Sequence, residues 1–198
     1  MLVFWKQNLA ILSVPKTGTT ALEAALSPHA DIVISNPPEL KHLPVYRYTR
    51  FMEKMFDKAT GRTPETVAVV REPIDWLGSW YRYRQRPELQ GRPNSTSDVA
   101  FDDFVLEYTK GKPAPFANVG SQARFLAGEE GRICGVTHLF RYNRLDKLYD
   151  FLQDRLGREI TTERMNVSPA GQLTLSAEVA EHLRRKCPQE FELYDSVK

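Results

Sequence analysis

The residues with the clearest chemical potential lie at positions 15–20, which read Pro-Lys-Thr-Gly-Thr-Thr. An apolar run precedes them, and the helix-forming run Ala-Leu-Glu-Ala-Ala-Leu follows at once. A strand, a short turn and a helix N-terminus direct several free backbone N–H groups and the positive end of the helix dipole at one point. Lys16 adds a mobile ammonium group, and the hydroxyls of Thr17, Thr19 and Thr20 add neutral donors. The pattern therefore predicts a binding site for a phosphate or sulfate group.

The order of residues in this turn differs from that of the commoner nucleotide-binding loop. A Walker A loop, G-x-x-x-x-G-K-[ST], places its lysine directly after the last glycine. Here Lys16 precedes Gly18, and positions 10–13 contain no glycine. The Mg²⁺-binding arrangement of an ATPase or kinase is therefore not favoured. An ordinary strand-to-helix turn is the structural alternative, because helix caps draw on the same Ser, Thr and Gly residues.

A second candidate segment begins with the continuous, largely β-branched run at 66–70. This run predicts a strand buried on both faces of a parallel sheet. It ends at Arg71-Glu72-Pro73, and because proline fits the first turn of a helix, residues 74–84 are predicted to be helical. Arg71 then lies at the carboxyl end of a strand, where open α/β sheets bind ligands. Ser79 follows about two helical turns later.

Together, the two segments resemble the nucleotide-binding motifs of sulfotransferases that use 3′-phosphoadenosine 5′-phosphosulfate (PAPS) as donor. Residues 15–20 resemble their 5′-phosphosulfate loop, and Arg71 with Ser79 is similar to their 3′-phosphate motif. The resemblance implies a single-domain α/β fold over residues 1–198, with a central parallel sheet flanked by helices as in P-loop NTPases. It also implies which residues bind the donor: Lys16, Thr17, Gly18, Thr19, Thr20, Arg71 and Ser79.

Weaker similarities place the chain nearer to bacterial and Golgi carbohydrate-type members of this family. Segments 121–126 and 140–145 look like helix and strand-end segments of those members, and 164–168 resembles their C-terminal Asn-x-Ser element. The late Arg-Lys-Gly tripeptide, with which cytosolic animal members hold the 3′-phosphate, does not occur in this sequence. The resemblance therefore does not identify the groups that complete the 3′-phosphate and adenine pockets.

Sulfuryl transfer moves a neutral SO₃ unit between two oxygen atoms that lie in line, and charge at both ends makes it difficult. By analogy with phosphoryl transfer, positioning and electrostatics should supply most of the catalysis. Lys16 is predicted to stabilise the leaving 5′-phosphate oxygen. His42 is predicted to be the general base, since an imidazole is largely neutral at physiological pH. Glu39 is the rival base, because other branches of the family use a glutamate. No metal is predicted, because no His/Cys/Asp cluster has ligand spacing.

Length and composition restrict the class of protein. At 198 residues, with 41% apolar and 26% charged residues, the chain fits one ordinary soluble domain. It has no stretch able to span a bilayer, and residues 1–8 lack the features of a signal peptide, which favours a cytoplasmic location. Cys134 and Cys187 stand far apart, which indicates reduced thiols. A net charge of +2 is too small to indicate nucleic-acid binding.

Periodicity predicts alternating strands and helices, for which the default arrangement is a parallel sheet covered on both faces. Strands are predicted at 9–14, 31–34, 66–70 and 136–140, and helices at 74–84, 144–156 and 176–186. Segments 35–44 and 85–98 are rich in turn formers and are predicted to be loops. Such loops usually define acceptor specificity, and the second has a mobile linker as its alternative.

Two other functions stay open at the level of sequence. One is a phosphotransferase that uses ATP, although the glycine that it needs before Lys16 is missing. The other is a nucleotide-binding or nucleic-acid-binding module without catalysis, because residues 81–86 interleave aromatics with cations. Such a run is otherwise a solvated face or the wall of a channel for an anionic cofactor or acceptor. The predicted acceptor is a small molecule or a saccharide, with the basic residues favouring a polar or anionic one, and the oligomeric state is not indicated.

Overall fold

The computed structural model of the chain describes residues 1–129, 132–161 and 173–197. Five strands form one mixed sheet with helices on both faces, and the whole is a single α/β domain. The strands are β1 (Leu2–Phe4), β2 (Leu9–Ile11), β3 (Ile32–Val33), β4 (Glu65–Val70) and β5 (His138–Arg141). Their order is β3-β1-β2-β4-β5, in which β1 is antiparallel to both neighbours and the β2–β4 and β4–β5 pairs are parallel.

The parallel arrangement predicted for the whole sheet is wrong at β1. The sequence predicts the first strand at 9–14, yet the N-terminal residues already form a strand that pairs with it. A tight turn over residues 5–8 reverses the chain between them, and Asn8 has a φ of 54° there. An antiparallel neighbour needs only such a short turn, whereas a parallel one needs a crossover.

The helices lie between and after the strands. They are α1 (Thr19–Leu26), α2 (Pro38–Lys41), α3 (Val45–Arg47), α4 (Lys54–Thr60), α5 (Pro73–Arg84), α6 (Phe101–Tyr108), α7 (Gln122–Leu126), α8 (Leu145–Leu156), α9 (Ala177–Lys186) and α10 (Pro188–Asp195). A π-helical turn, Tyr48–Glu53, joins α3 to α4. The helices predicted at 74–84, 144–156 and 176–186 are confirmed as α5, α8 and α9. The helical segment at 45–60 was not predicted, and residues 164–168 lie outside the described residues.

Alternate residues of the strands point to opposite faces of the sheet, where they belong to two separate apolar clusters. On one face, Ala68 and Val70 pack with the segment at 43–56 and with α7 and α10. On the other face, Val67 and Val69 pack against α1 and the leucine stripe of α8. This division follows the period of two of a strand. It explains why the run at 66–70 is apolar without interruption, since both of its faces are covered.

A third apolar cluster lies beyond the sheet and fixes the position of α5. It joins α5 to α6, α9 and α10, and Trp76 and Phe104 are among its most buried side chains. The loop at 85–98 is tied to the same helix, because Thr96 is fully buried and its hydroxyl donates to the carbonyl of Tyr81 at 2.8 Å. The position of α5 matters for the site described below, since this helix carries the residues next to Arg71.

Glu190 of α10 holds the start of α7 in place. Its carboxylate is 2% exposed and accepts hydrogen bonds from the Ser121 hydroxyl and from the backbone N–H of Ala123. The Ser121 hydroxyl in turn accepts from the backbone N–H of Arg124, as an N-cap does. Burial raises the pKa of Glu190, although these hydrogen bonds act in the opposite direction.

Glu190→Gln is expected to raise the free energy of unfolding at about pH 8 by on the order of 1 kcal/mol. The pKa of Glu190 in the folded chain lies above 4.5, so its contribution to stability is complete below that pH and is lost as pH rises through the raised pKa. A glutamine stays neutral throughout. Urea unfolding at about pH 5 and pH 8 measures this, with Glu192→Gln, at an exposed position of the same helix, as control. A stability difference that does not change with pH would contradict this account.

The residues that the structure describes lack two features. No helix among them is long and apolar enough to cross a bilayer. Within the same residues, no three His, Cys, Asp or Glu side chains are grouped so that they could hold a metal ion. Cys134 and Cys187 are both free thiols and both half-buried.

Candidate active site

The turn at 15–18 leads from β2 into α1 through two residues with positive φ. Lys16 has a φ of 67° and Gly18 a φ of 78°. A left-handed backbone is ordinary for glycine and costs free energy for lysine, and such strain is typical of functional sites. A Cβ at Gly18 would also lie 3.2 Å from the Tyr142 ring, so this ring would have to move by a few tenths of an ångström. The turn therefore favours glycine at this position.

The N-terminus of α1 opens at this turn. No side chain among the described residues caps the helix, and Gly18 is its N-cap residue. Its first backbone N–H groups, at Thr19 and Thr20, are thus available to an anion. The hydroxyl of Thr17 donates to the carbonyl of Val14 at 2.9 Å, so it closes the turn and does not act as the free donor that the sequence suggests.

Lys16 extends from the turn over the aromatic side of α5. Its Nζ lies 4.2 Å from the centre of the Tyr83 ring and 5.6 Å from that of Trp80. Burial, and after it the positive charges of Arg86, Arg71 and Arg82, lower the pKa of Lys16 to about 8. A lysine surrounded by cations is destabilised as an ammonium ion, and an anionic ligand would relieve that repulsion.

Arg71 brings the second predicted segment to the same turn. Its Nη1 donates to the carbonyl oxygen of Lys16 at 3.2 Å, and its guanidinium lies 4.3 Å from the centre of the Tyr142 ring. The other side of the guanidinium is held by Asp75, with Nη2 2.9 Å from Oδ1. The two segments, fifty-five positions apart, thus meet at one place. A phosphate bound at Arg71 would share the guanidinium with Asp75 or displace it.

Two buried side chains lock this junction. The amide of Gln122, which is 1% exposed, accepts from the Arg71 backbone N–H at 2.9 Å and donates to its carbonyl at 2.8 Å. The indole N–H of Trp76 donates to the carbonyl of Pro15 at 3.0 Å. The ends of β4 and of the turn are therefore fixed in their mutual position before any ligand binds.

Ser79 is buried on the side of α5 that faces the turn. It is three residues after Trp76 and four before Tyr83, and both of those side chains contact the turn. Residues at these spacings share one face of a helix. The residue as a whole is 4% exposed. Ser79 and Arg71 therefore lie on the same side of the fold, although the contacts of Arg71 go to Asp75, Lys16 and Tyr142.

His42 lies beside the end of β2. Its Nδ1 is 2.7 Å from the carbonyl oxygen of Ser13, which is three residues before Lys16. A carbonyl only accepts, so Nδ1 carries the hydrogen and the neutral ring keeps its lone pair on Nε2. Burial lowers the pKa of His42 from its ordinary value, which favours the neutral ring. Glu39, the rival base, is exposed on the one-turn helix α2.

The basic run at 81–86 does not act as one surface. Arg84 is buried, and its guanidinium donates to the carbonyl of Asn118 at 2.8 Å and to that of Pro115. Arg86 stacks on Tyr83, 4.6 Å from the ring centre, and lies close enough to Lys16 to lower its pKa. Arg84 is therefore structural, while Arg86 adds positive charge to the site.

Sequence reasoning missed four residues that shape the site. They are Asp75, Tyr83, Gln122 and Tyr142, which contact Arg71, Lys16 or Gly18. A helical spacing of four from Arg71 was the available signal for Asp75, and the aromatic position within 81–86 for Tyr83. Gln122 and Tyr142 lie in the segments 121–126 and 140–145, where the resemblance gave neither residue a role.

A scan of the sequence against models of protein families finds no match, and a search of curated proteins finds no relative of significant similarity.

Proposed function

We propose that the chain is a PAPS-dependent sulfotransferase with a P-loop-like fold, nearer to the bacterial and Golgi carbohydrate type. It transfers the sulfuryl group to a hydroxyl or an amine of an acceptor. The observation that carries the proposal is the hydrogen bond of Arg71 to the carbonyl of Lys16. The cations of the two motifs, Lys16 and Arg71, therefore belong to one junction. A single molecule with anionic groups at its two ends could bind to both motifs at once.

The roles of the site residues follow from charge. Lys16 and the backbone N–H groups of α1 neutralise the 5′-phosphate oxygen as the S–O bond to it breaks. Arg71 and Ser79 bind the 3′-phosphate. The acceptor oxygen attacks sulfur in line and passes its proton to the base, and adenosine 3′,5′-bisphosphate leaves. A buried indole N–H at Trp80, for which no acceptor exists among the described residues, supplies a further donor beside Lys16.

His42 is the base in this proposal. Its Nε2 carries a lone pair because Nδ1 donates to Ser13, and its lowered pKa keeps it unprotonated at neutral pH. Glu39 is exposed to solvent, so its carboxylate has no such fixed orientation. The acceptor stays a prediction: a small molecule or a saccharide, with Arg86 favouring an anionic one. A cytoplasmic location also stays a prediction.

Turnover with the donor tests the proposal. The protein is incubated with PAPS and a panel of alcohols, phenols, amines and sugars, and the bisphosphate product is measured. Arg71→Ala is expected to weaken bisphosphate binding by roughly 10- to 100-fold, because a charge-assisted hydrogen bond to phosphate is lost. Arg62→Ala, which removes an equal charge just before the amino end of β4, should leave that affinity unchanged.

Calorimetry separates this function from its alternatives. The sulfotransferase proposal requires the bisphosphate to bind more tightly than ATP with Mg²⁺, whereas the reverse order would favour a phosphotransferase. Steep salt dependence of nucleic-acid binding, with no response to the bisphosphate, would favour the non-catalytic module.

A further inference from the structure

The helical segment from α3 to α4 carries an exposed face that no other described element covers. One stripe along it consists of Tyr46, Arg50, Lys54 and Lys58, which are four residues apart. A second stripe, one residue further on, consists of Arg47, Phe51 and Met55. We call these two stripes the basic–apolar face.

The π-helical turn keeps both stripes straight. An α-helix has 3.6 residues per turn, so side chains four residues apart drift slowly around it in one direction. A π-helix, whose hydrogen bonds run from i to i+5, has more than four residues per turn, so they drift in the other direction. Because the segment combines both kinds of turn, residues four apart stay on one side along its length. The opposite side packs into the core through Val45, Tyr48 and Phe56.

The apolar members of this face are unusually exposed. Phe51 is 58% exposed, Tyr46 54% and Met55 50%, and Leu40 on the preceding helix α2 is 47% exposed. Large apolar side chains of this exposure, grouped on one surface, mark an interaction site. Scattered single residues would need no explanation.

Cations accompany the two aromatic side chains of this face. The guanidinium of Arg47 lies 5.6 Å from the Tyr46 ring centre, and that of Arg50 lies 5.4 Å from the Phe51 ring centre. Two acidic residues occur in the segment: Asp57 is exposed and Glu53 is half-buried. Four cations on the two stripes therefore outnumber the acids, and the face is positive.

From these observations we infer that the basic–apolar face docks onto the surface of an anionic lipid bilayer. The cations contact the lipid phosphates and carboxylates, while Phe51, Met55 and Tyr46 enter the boundary between headgroups and acyl chains. Protein interfaces also favour arginine, methionine and aromatic residues, but they are depleted in lysine, and one stripe of this face carries Lys54 and Lys58. This distinction favours a lipid surface over a protein partner. Nucleic-acid affinity comes mainly from contacts with phosphates, which would leave the exposed apolar side chains of this face without a role.

Co-sedimentation with lipid vesicles tests this inference without involving the nucleotide site. The chain should bind vesicles of phosphatidylcholine containing about a quarter phosphatidylserine, and bind pure phosphatidylcholine on the order of tenfold more weakly. Arg50→Glu/Lys54→Glu should lower binding to the anionic vesicles by more than tenfold. Phe51→Ser/Met55→Ser should lower it to a similar extent while the charge is unchanged.

Matched controls come from another part of the molecule. Arg185→Glu/Lys186→Glu reverses two exposed charges on α9, and Leu106→Ser removes an exposed apolar side chain from α6. Both control variants should bind anionic vesicles like the wild type. The inference is overturned if neither kind of vesicle binds, if the controls lose binding equally, or if the face variants instead dissociate a dimer of this chain measured by light scattering.

Discussion

Lys16→Ala is expected to lower kcat for sulfuryl transfer by about 10³-fold, with the fold unchanged. The substitution removes the one mobile cation of the turn that the proposal places at the leaving oxygen. It also removes the contacts of Nζ with the Tyr83 and Trp80 rings, but the packing of Trp80 against the apolar cluster around α5 does not involve the lysine. Steady-state kinetics with release of the bisphosphate measures the loss, and circular dichroism checks the fold.

The pH dependence of kcat/KM shows whether Lys16 acts through its positive charge or only through its contribution to the local structure. Because the pKa of Lys16 is about 8, the ammonium form is lost as pH rises above that value, and kcat/KM should fall with it. Lys16→Arg keeps its charge at all these pH values, so its residual activity should show no decline there. Lys6→Ala, at the exposed turn between β1 and β2, is the matched control. Full activity of Lys16→Ala would show that the proposed mechanism is wrong.

His42→Asn should lower kcat/KM by about 10²- to 10⁴-fold, which is the range for loss of a general base. Asparagine is chosen because its amide N–H can still donate to the Ser13 carbonyl, which would otherwise be left without a partner. The substitution therefore removes the lone pair of Nε2 while the local structure is kept. Wild-type kcat/KM should also fall as pH drops through the lowered pKa of His42, and this acidic decline should be absent in the variant.

Two further variants complete that experiment. Glu39→Gln should stay within about twofold of the wild type, since the proposal gives the exposed carboxylate no proton to accept. His29→Asn, at an exposed position after α1, should be equally active. If Glu39→Gln were inactive and His42→Asn active, the assignment of the base would be reversed.

The parts of this molecule that sequence predicts well are those whose information is local. The run at 66–70 needs only its own residues to indicate a doubly covered strand, and Pro73 marks the helix that follows. The turn at 15–20 likewise carries its chemistry in six consecutive residues. That the two segments bind one nucleotide was predicted only through the resemblance, because no local rule relates segments so far apart. The direct contact between Arg71 and the Lys16 carbonyl was not predicted.

The remainder depends on residues that meet only in the folded chain. By sequence alone, Gln122 has no feature that indicates its role. In the folded chain its amide forms hydrogen bonds with both the backbone N–H and the backbone carbonyl of Arg71. Strand β1 has three residues, and a periodic pattern cannot be recognised in so short a segment. The sequence therefore does not distinguish it from a loop that leads into β2. Helix propensity does not encode the π-helical turn at 48–53, whose inner side packs into the core through Tyr48.

The carboxylate of Glu190 has a consequence for how the C-terminal helix relates to ligand affinity. It anchors Ser121, and the next residue is Gln122, which orients Arg71. Local opening of α10 would therefore release the arginine as well, so the two events share one equilibrium. By thermodynamic linkage, a nucleotide held by Arg71 would slow amide hydrogen exchange in a helix that it never touches.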